Sequence, residues 1–317
     1  MKKFYLFLVL LTGLVLVGCD KSKESVQTDD DFDICSVMED VEFKAYCLEN
    51  FDTNNDGKLS LTEGEKIANI DIQQSSKGTI TSLKGIEYFM NLEALLCSSN
   101  LITSLDVSKN TALTKLECSG NLLTSLDVSG CTTLNTLYCS SNHLASLDVS
   151  NCTALSNLYC SSNQLTSLDV SGCTALTKLE CGSNLLTALD VNGCTALKAL
   201  DCHSNRLTSL DVSNNTALVL LYCSENFLSS LDVSKNSALI ELSCAYNGFS
   251  SLDVSNNMAL RVLSFTFPGE GGSADSEYSF SEITTLYLNS GQNNLNFGSC
   301  SSVDCLKEEY GINVIYK

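Results

Sequence analysis

From Leu92 onward, the apolar positions of this chain fall on a fixed grid. The block L-x-x-L-x-C-x-x-N-x-L-x-x-L-D-V-x-x-(N/C)-x-x begins at Leu92, Leu113, Leu134, Leu155, Leu176, Leu197, Leu218 and Leu239, and a ninth opens at Leu260. The step is 21 residues each time, without insertion. A constant short period is the mark of a solenoid, in which each unit stacks only on its neighbours. Within a copy, L-x-C and L-x-V alternate inward and outward as strands do. The pattern predicts a β-rich solenoid with two short parallel strands per 21-residue coil, on opposite sides of a flattened body. Leu, Ile, Val, Cys and Ala should point inward, with coils about 4.8 Å apart.

Two columns of turn residues run alongside. Asn100, Asn121, Asn142, Asn163, Asn184, Asn205, Asn226 and Asn247 form one, placed to bond backbone groups at the turns. The second holds Cys131, Cys152, Cys173 and Cys194 in consecutive copies, with Asn110 before them and Asn215, Asn236 and Asn257 after. The residue before it is often Gly or Asn (Gly130, Asn151, Gly172, Gly193, Asn214, Asn256), which suits a positive φ, with Lys109 and Lys235 as exceptions. A further column, Cys97, Cys118, Cys139, Cys160, Cys181, Cys202, Cys223 and Cys244, lies in the core. Parallel side chains in one column do not converge on a metal, so these cysteines read as buried apolar thiols.

Each copy is nested: Leu92, Leu95, Cys97 and Asn100 are echoed by Ile102, Leu105, Val107 and Asn110. Both halves resemble the core segment of leucine-rich repeats. The whole resembles the short nested class called IRREKO repeats, over roughly residues 80–265. Exchange of Asn and Cys in the second column is typical of such ladders, and the resemblance implies a leucine-rich-repeat solenoid.

The ends follow other patterns. Lys2 and Lys3 precede an apolar run, Phe4 to Val17, too short for a comfortable membrane span. Leu16-Val17-Gly18-Cys19 resembles a bacterial lipobox, which implies a signal peptide over 1–18 and lipid on Cys19. Residues 19–32 then read as the lipidated cysteine and a disordered acidic tether. Acidic residues so placed resemble surface-export signals of Bacteroidetes lipoproteins. The implied address is the cell envelope, lipid-anchored at the outer membrane or cell surface.

Residues 33–91 read as an N-terminal cap and irregular first coil. Within them Asp52, Asn54, Asp56, Gly57, Lys58, Ser60 and Glu63 fit D-x-[DN]-x-[DN]-G-x5-E and resemble an EF-hand or dockerin-type loop. Asp52, Asn54 and Asp56 offer side-chain oxygens, Lys58 its carbonyl, Ser60 a bridging water and Glu63 both carboxylate oxygens, a set suited to a structural Ca2+. Leu59 is the apolar anchor, and a small helix enters over Glu42–Phe51. The repeats occupy 92–265, and 266–317 reads as an irregular β C-terminal cap, with strands at Ile283–Leu288 and Ile312–Ile315. Four cysteines lie in the caps, and the expected disulfides are Cys35–Cys47 and Cys300–Cys305.

Net charge is −19, or −21 once the two lysines of the signal are gone, leaving 16 basic against 37 acidic side chains. An acidic surface argues against a nucleic-acid partner, which would need a basic face. Catalytic patterns are missing: His143 and His203 are the only histidines, neither beside an obvious Ser or Cys partner, so the expectation is a protein without enzymatic activity. Asp106, Asp127, Asp148, Asp169, Asp190, Asp211, Asp232 and Asp253 repeat on the second strand, either as a solvated column or as a cation-binding face.

Function is expected where the copies differ. The outward position of the first strand reads Leu96, Glu117, Tyr138, Tyr159, Glu180, Asp201, Tyr222, Ser243 and Ser264. Tyr138, Tyr159 and Tyr222 would anchor a protein or glycan ligand, with Glu117, Glu180 and Asp201 as polar contacts. The alternatives are tyrosines tolerated on a β-surface and a structural surface lipoprotein without a defined ligand.

Overall fold

The computed structural model describes residues 32–73, 79–266, 282–292, 295–298, 300 and 302–317. The signal-like segment, Cys19, most of the tether and Pro268–Gly272 lie outside the described residues. In chain order the elements are α1 (Val41–Phe51), α2 (Leu61–Gly64), β1 (Asn69–Asp71), β2 (Ala94–Leu96), β3 (Leu105–Asp106), β4 (Lys115–Glu117), β5 (Leu126–Asp127), β6 (Thr136–Tyr138), β7 (Asn157–Tyr159), β8 (Lys178–Glu180), β9 (Ala199–Asp201), β10 (Leu220–Tyr222), β11 (Glu241–Ser243), β12 (Ser251–Asp253), β13 (Val262–Ser264), β14 (Thr285–Leu288), α3 (Val303–Glu308) and β15 (Asn313–Tyr316).

The first strands form one ten-stranded parallel sheet, ordered β1-β2-β4-β6-β7-β8-β9-β10-β11-β13. Register follows the repeat: Leu116 pairs with Leu137, Leu137 with Leu158, and Leu158 with Leu179. Each central leucine is fully buried and its two strand neighbours are half-buried.

On the opposite side, continuous strands do not form in every coil, contrary to the expected two per copy. Among the described residues, β3 pairs with β5, single bridges join Asp148 to Asp169 and Asp169 to Asp190, and β12-β14-β15 closes the C-terminal end. The strands that do form, β3, β5 and β12, all end at their Asp, where the side chain competes for N–H groups. In each copy the Asp side chain folds back onto the N–H two residues on, as Asp148 does to Ser150 at 2.9 Å. A turn bond from Cys152 N–H to Val149 O, 2.9 Å, follows at once.

The two asparagine columns differ in how fully they are bonded. In the first, Asn163 donates to Cys139 O and Cys160 O at 3.0 Å, and its Oδ1 accepts from Leu144 N–H at 3.0 Å. All of its polar atoms are engaged, and no other residue type replaces it in the repeats. In the second, Asn215 donates to Val191 O and Cys194 O at 2.9 Å, while its Oδ1 accepts nothing; Asn110, Asn236 and Asn257 share this fault. A cysteine in the same place sends its Sγ to the equivalent carbonyl, as Cys131 does to Val107 O at 3.4 Å. An unpaired buried carbonyl costs about 1–3 kcal/mol. That penalty offsets the better donors of Asn, which accounts for the free exchange. Gln292 extends this column beyond the last repeat, donating to Val254 O and Asn257 O.

Positive φ lies elsewhere than the sequence implied. Gly130 and Gly172 are ordinary in φ; the constraint on them is contact, since a Cβ on Gly130 would stand 1.8 Å from Ser108 O of the preceding coil. The left-handed residue is the one before each first-column Asn: Ser99, Gly120, Ser141, Ser162, Ser183, Ser204, Glu225 and Tyr246, with φ of 49–64°.

The N-terminal cap buries Ile34, Phe43, Cys47, Phe51, Leu59 and Phe89. Asp40 ties it to the solenoid. Its Oδ1 caps α1 through Glu42 and Phe43 N–H, and its Oδ2 accepts from Thr81 N–H and Oγ1 at 2.7 and 2.8 Å. Cys300 and Cys305 are joined by a disulfide at the start of α3. The expected Cys35–Cys47 bridge is absent, and both are buried free thiols. They pack as apolar side chains in the cap core, where burial pushes Cys35 up to about 11 and Cys47 higher still. Thiols so hard to ionise are poor at disulfide exchange.

Candidate functional site

The parallel register assembles six sequence-selected residues into one line. Glu117 pairs with Tyr138, Tyr138 with Tyr159, Tyr159 with Glu180, Glu180 with Asp201 and Asp201 with Tyr222. At about 4.8 Å per coil, the column spans roughly 24 Å. Its members are half-buried rather than open, because neighbouring coils crowd them.

Tyr138 and Tyr159 stack on each other, ring centroids 4.2 Å apart and 7° from parallel. Lys178 Nζ stands 4.9 Å from the Tyr159 ring centre and pairs with Glu180 Oε1 at 2.8 Å. On the other flank Lys115 Nζ pairs with Glu117 Oε1 at 2.6 Å, and Gln73 donates to Glu117 Oε2 at 2.8 Å. The result is a stacked aromatic pair bracketed by two ion pairs. The neighbouring Tyr159 phenol, then burial, raises the Tyr138 pKa; burial, then Glu241, raises that of Tyr222. Both phenols stay protonated at neutral pH and can donate.

Beyond this stack lies a group that sequence reasoning missed. Asp201 Oδ1 lies 2.6 Å from His203 Nδ1, and His203 Nε2 lies 3.4 Å from Ser183 Oγ in the preceding coil. His203 thus has the partners that its sequence neighbourhood did not show. Gly182 makes room for it: a Cβ there would fall 2.3 Å from Nδ1. The available signal was a pair of departures from the repeat, since both positions hold Ser in most other copies. The hydrogen bond to Asp201 raises the His203 pKa. The order Asp–His–Ser resembles a nucleophilic relay. However, Ser183 N–H, the donor such a serine would offer an oxyanion, is bound to His203 O at 2.8 Å. The trio therefore orients polar groups on the face.

On the opposite side, the Asp column is built from turns. Among Asp127, Asp148, Asp169, Asp211 and Asp232, bonds from the serine two residues on hold the carboxyls below their usual pKa. The C-terminal Lys317 reaches Asp253 Oδ2 at 2.5 Å and lies 4.3 Å from the Tyr287 ring centre.

The loop over 52–63 folds tightly around its own side chains. Asp52 accepts from Asp56 and Gly57 N–H at 3.2 and 2.9 Å, Asn54 from Asp56 N–H at 2.9 Å, and Asp56 from Lys58 N–H at 2.9 Å. Gly57 has φ +81°. Leu59 is fully buried and its carbonyl accepts from Ile34 N–H at 2.8 Å. Glu63 is engaged differently from expectation. Oε1 accepts from Thr53 N–H and Oγ1, and Oε2 from Ser60 N–H and Oγ, all at 2.8–3.0 Å. Burial opposes ionisation, but these donors outweigh it and bring Glu63 to about 2. Among the described residues, no three His, Cys, Asp or Glu side chains converge as a metal cluster. Asp52, Asn54, Asp56 and the Lys58 carbonyl fit an oxygen-seeking cation; Glu63 joins them only by releasing Thr53 and Ser60.

No protein-family model and no curated protein matches the sequence. Solved structures do match. The functional domain of InlJ from Listeria monocytogenes, described as including a cysteine ladder, is 30% identical with a TM-score of 0.61, over 83% of this chain and 62% of that one. A leucine-rich-repeat protein of Leptospira interrogans is 24% identical with a TM-score of 0.59, over 64% and 56%. Internalin C2 of Listeria monocytogenes is 22% identical with a TM-score of 0.56, over 74% and 96%. The chain spans less than two thirds of the length of the first two. The fold is a leucine-rich-repeat solenoid. Among the described residues, no helix is long and apolar enough to cross a membrane.

Proposed function

We propose that this chain is a recognition scaffold that binds a protein partner through the column Glu117, Tyr138, Tyr159, Glu180, Asp201 and Tyr222. One observation carries the reading: the six lie in unbroken register on a rigid sheet, at positions the fold leaves free to vary. Solenoid faces of this kind are extended binding surfaces, and likeness to leucine-rich-repeat structures supports an interaction scaffold. The Tyr138–Tyr159 stack favours protein over sugar, because each ring already covers a face of the other. Phenol hydroxyls, ring edges and the flanking charges remain as contacts. Capture of host proteins by the immobilised full chain, against its Tyr138/Tyr159/Tyr222→Ala variant, tests the reading. Specific capture lost in the variant supports it; none by the parent, or equal capture by both, points to a structural surface role.

Two further expectations belong to the same proposal. Cys19 would carry lipid and hold the scaffold at the cell envelope, and Cys19→Ala should abolish labelling by an alkyne fatty acid. The loop would take Ca2+ through Asp52, Asn54, Asp56 and the Lys58 carbonyl, with Ser60 and Glu63 completing the set after rearrangement, and so stiffen the cap. Calorimetric titration with Ca2+ should show binding that Asp56→Ala removes and Glu63→Gln weakens; no heat from the parent chain would refute it.

A further inference from the structure

At the edge of the sheet, beside the strand column, successive coils leave an open groove of about 470 Å3, lined by Leu185, Ser204, Arg206, Glu225 and Tyr246 together with the ladder residues Asn184 and Asn205. That size lies within the range of small-ligand sites, about 300–1,000 Å3. Two columns make its walls, and both depart from the repeat here. The left-handed position before each ladder Asn holds Ser or Gly in the earlier copies but Glu225 and Tyr246 in these, with φ of 56° and 55°. Bulky side chains are disfavoured in that conformation. Two in succession, both lining one groove, set these coils apart from the earlier ones. The facing wall is Leu101 or Leu122 in early copies and becomes Arg206 here.

The chemistry of the walls is mixed. Ser204 Oγ donates to Glu225 Oε2 at 2.6 Å, which fixes that carboxylate and leaves Oε1 as an acceptor. Arg206 is exposed and has no ion pair among the described residues, so its guanidinium donors are available. Leu185 and the Tyr246 ring add apolar surface. A carboxylate and a guanidinium across one small groove select a ligand whose groups both donate and accept. An anionic ligand would meet Glu225 and a chain of net charge −19, and a cationic one would meet Arg206.

We infer that this groove binds a neutral sugar residue of an oligosaccharide, its hydroxyls donating to Glu225 and accepting from Arg206 while a C–H face of the ring lies against Tyr246. The site is separate from the tyrosine column and does not depend on it.

The test is titration of the full chain with neutral gluco-, galacto- and manno-configured trisaccharides, and with a uronic-acid trisaccharide, followed by saturation-transfer NMR and calorimetry. The Glu225→Ser/Tyr246→Ser double variant restores the small residue that other copies hold, so it should fold as the parent does, checked by its unfolding midpoint. Binding of a neutral trisaccharide that falls tenfold or more in the double variant, and persists in Tyr138/Tyr159/Tyr222→Ala, supports the site. Binding of none of the neutral sugars, binding of the uronic acid alone, a loss smaller than tenfold, or loss in the tyrosine variant would each overturn it.

Discussion

The two long faces of the solenoid come from the same 21-residue repeat, yet they use their polar groups in opposite ways. On the second face every copy repeats one bond, from an Asp carboxylate to the N–H two residues on, at 2.8–3.0 Å from Asp106 to Asp253. The side chain is part of the turn, so it cannot change without the coil. On the strand face backbone groups satisfy one another between strands, and side chains contribute little to the coil. That face is free to differ from copy to copy, and there the stack, the ion pairs and the Asp201–His203–Ser183 group are found. An invariant column marks local construction; a variable one marks a surface open to selection for contacts.

The comparison can be broken from inside. Asn163→Ala should have the largest effect, because it removes two donated bonds and one accepted bond from a buried site. Leu144 N–H is left unpaired, at about 1–3 kcal/mol, while Cys139 O and Cys160 O keep donors in Asn142 and Asn184 and lose one bond each, at about 0.5–1.5 kcal/mol, so the loss should be roughly 3 kcal/mol in urea unfolding. Asn215→Cys in the second column should change stability by less than about 1 kcal/mol, since its Oδ1 is unpaired and cysteine serves that place in other copies. Equal losses from the two would contradict the bonding difference between the columns.

Next come the faces themselves. Asp232→Ala removes the bond to Ser234 N–H and should cost about 1 kcal/mol, visible as a lower urea midpoint. Acid and base should separate the faces further. The Asp carboxyls have depressed pKa values when folded, so their contribution is present above the unfolded value, about 3.9, and fades as pH falls through the folded ones. His203 is raised, so its contribution is complete below about 6.5 and fades as pH rises through its folded value. Midpoints measured against pH for Asp148→Asn and His203→Gln should converge on the parent at opposite ends: low pH for the first, high pH for the second. Convergence at the same end would refute the assignment. On the strand face, Tyr138/Tyr159/Tyr222→Ala should keep a cooperative unfolding transition, with a shift of no more than about 2 kcal/mol for three residues together, the loss of one aromatic stack and some half-buried area.

Periodicity made the sheet, its register, the buried columns and the six-residue line legible, because each depends only on which residues recur every 21 positions. What depends on competition between bonds was hidden. The Asp turns weaken the second strand by taking N–H groups that a ladder would use. Ser99 and its equivalents turn left-handed where the sequence pointed to Gly130 and Asn151. Ser183 meets His203 only because coils stack, and Glu63 is drawn to Thr53 and Ser60 by donors that a loop motif does not record. Cys35 and Cys47 counted as a pair by elimination, whereas both are free thiols buried as apolar filler in the cap core.

The most direct measurement is partner capture by three forms of the full chain side by side: the parent, Tyr138/Tyr159/Tyr222→Ala on the strand face, and Asp148/Asp169/Asp190→Asn on the second face. If recognition resides in the variable column, the parent and the Asp variant capture the same protein and the Tyr variant does not. Capture that survives the tyrosine changes, or that disappears with the aspartate changes while the chain remains folded, would contradict it.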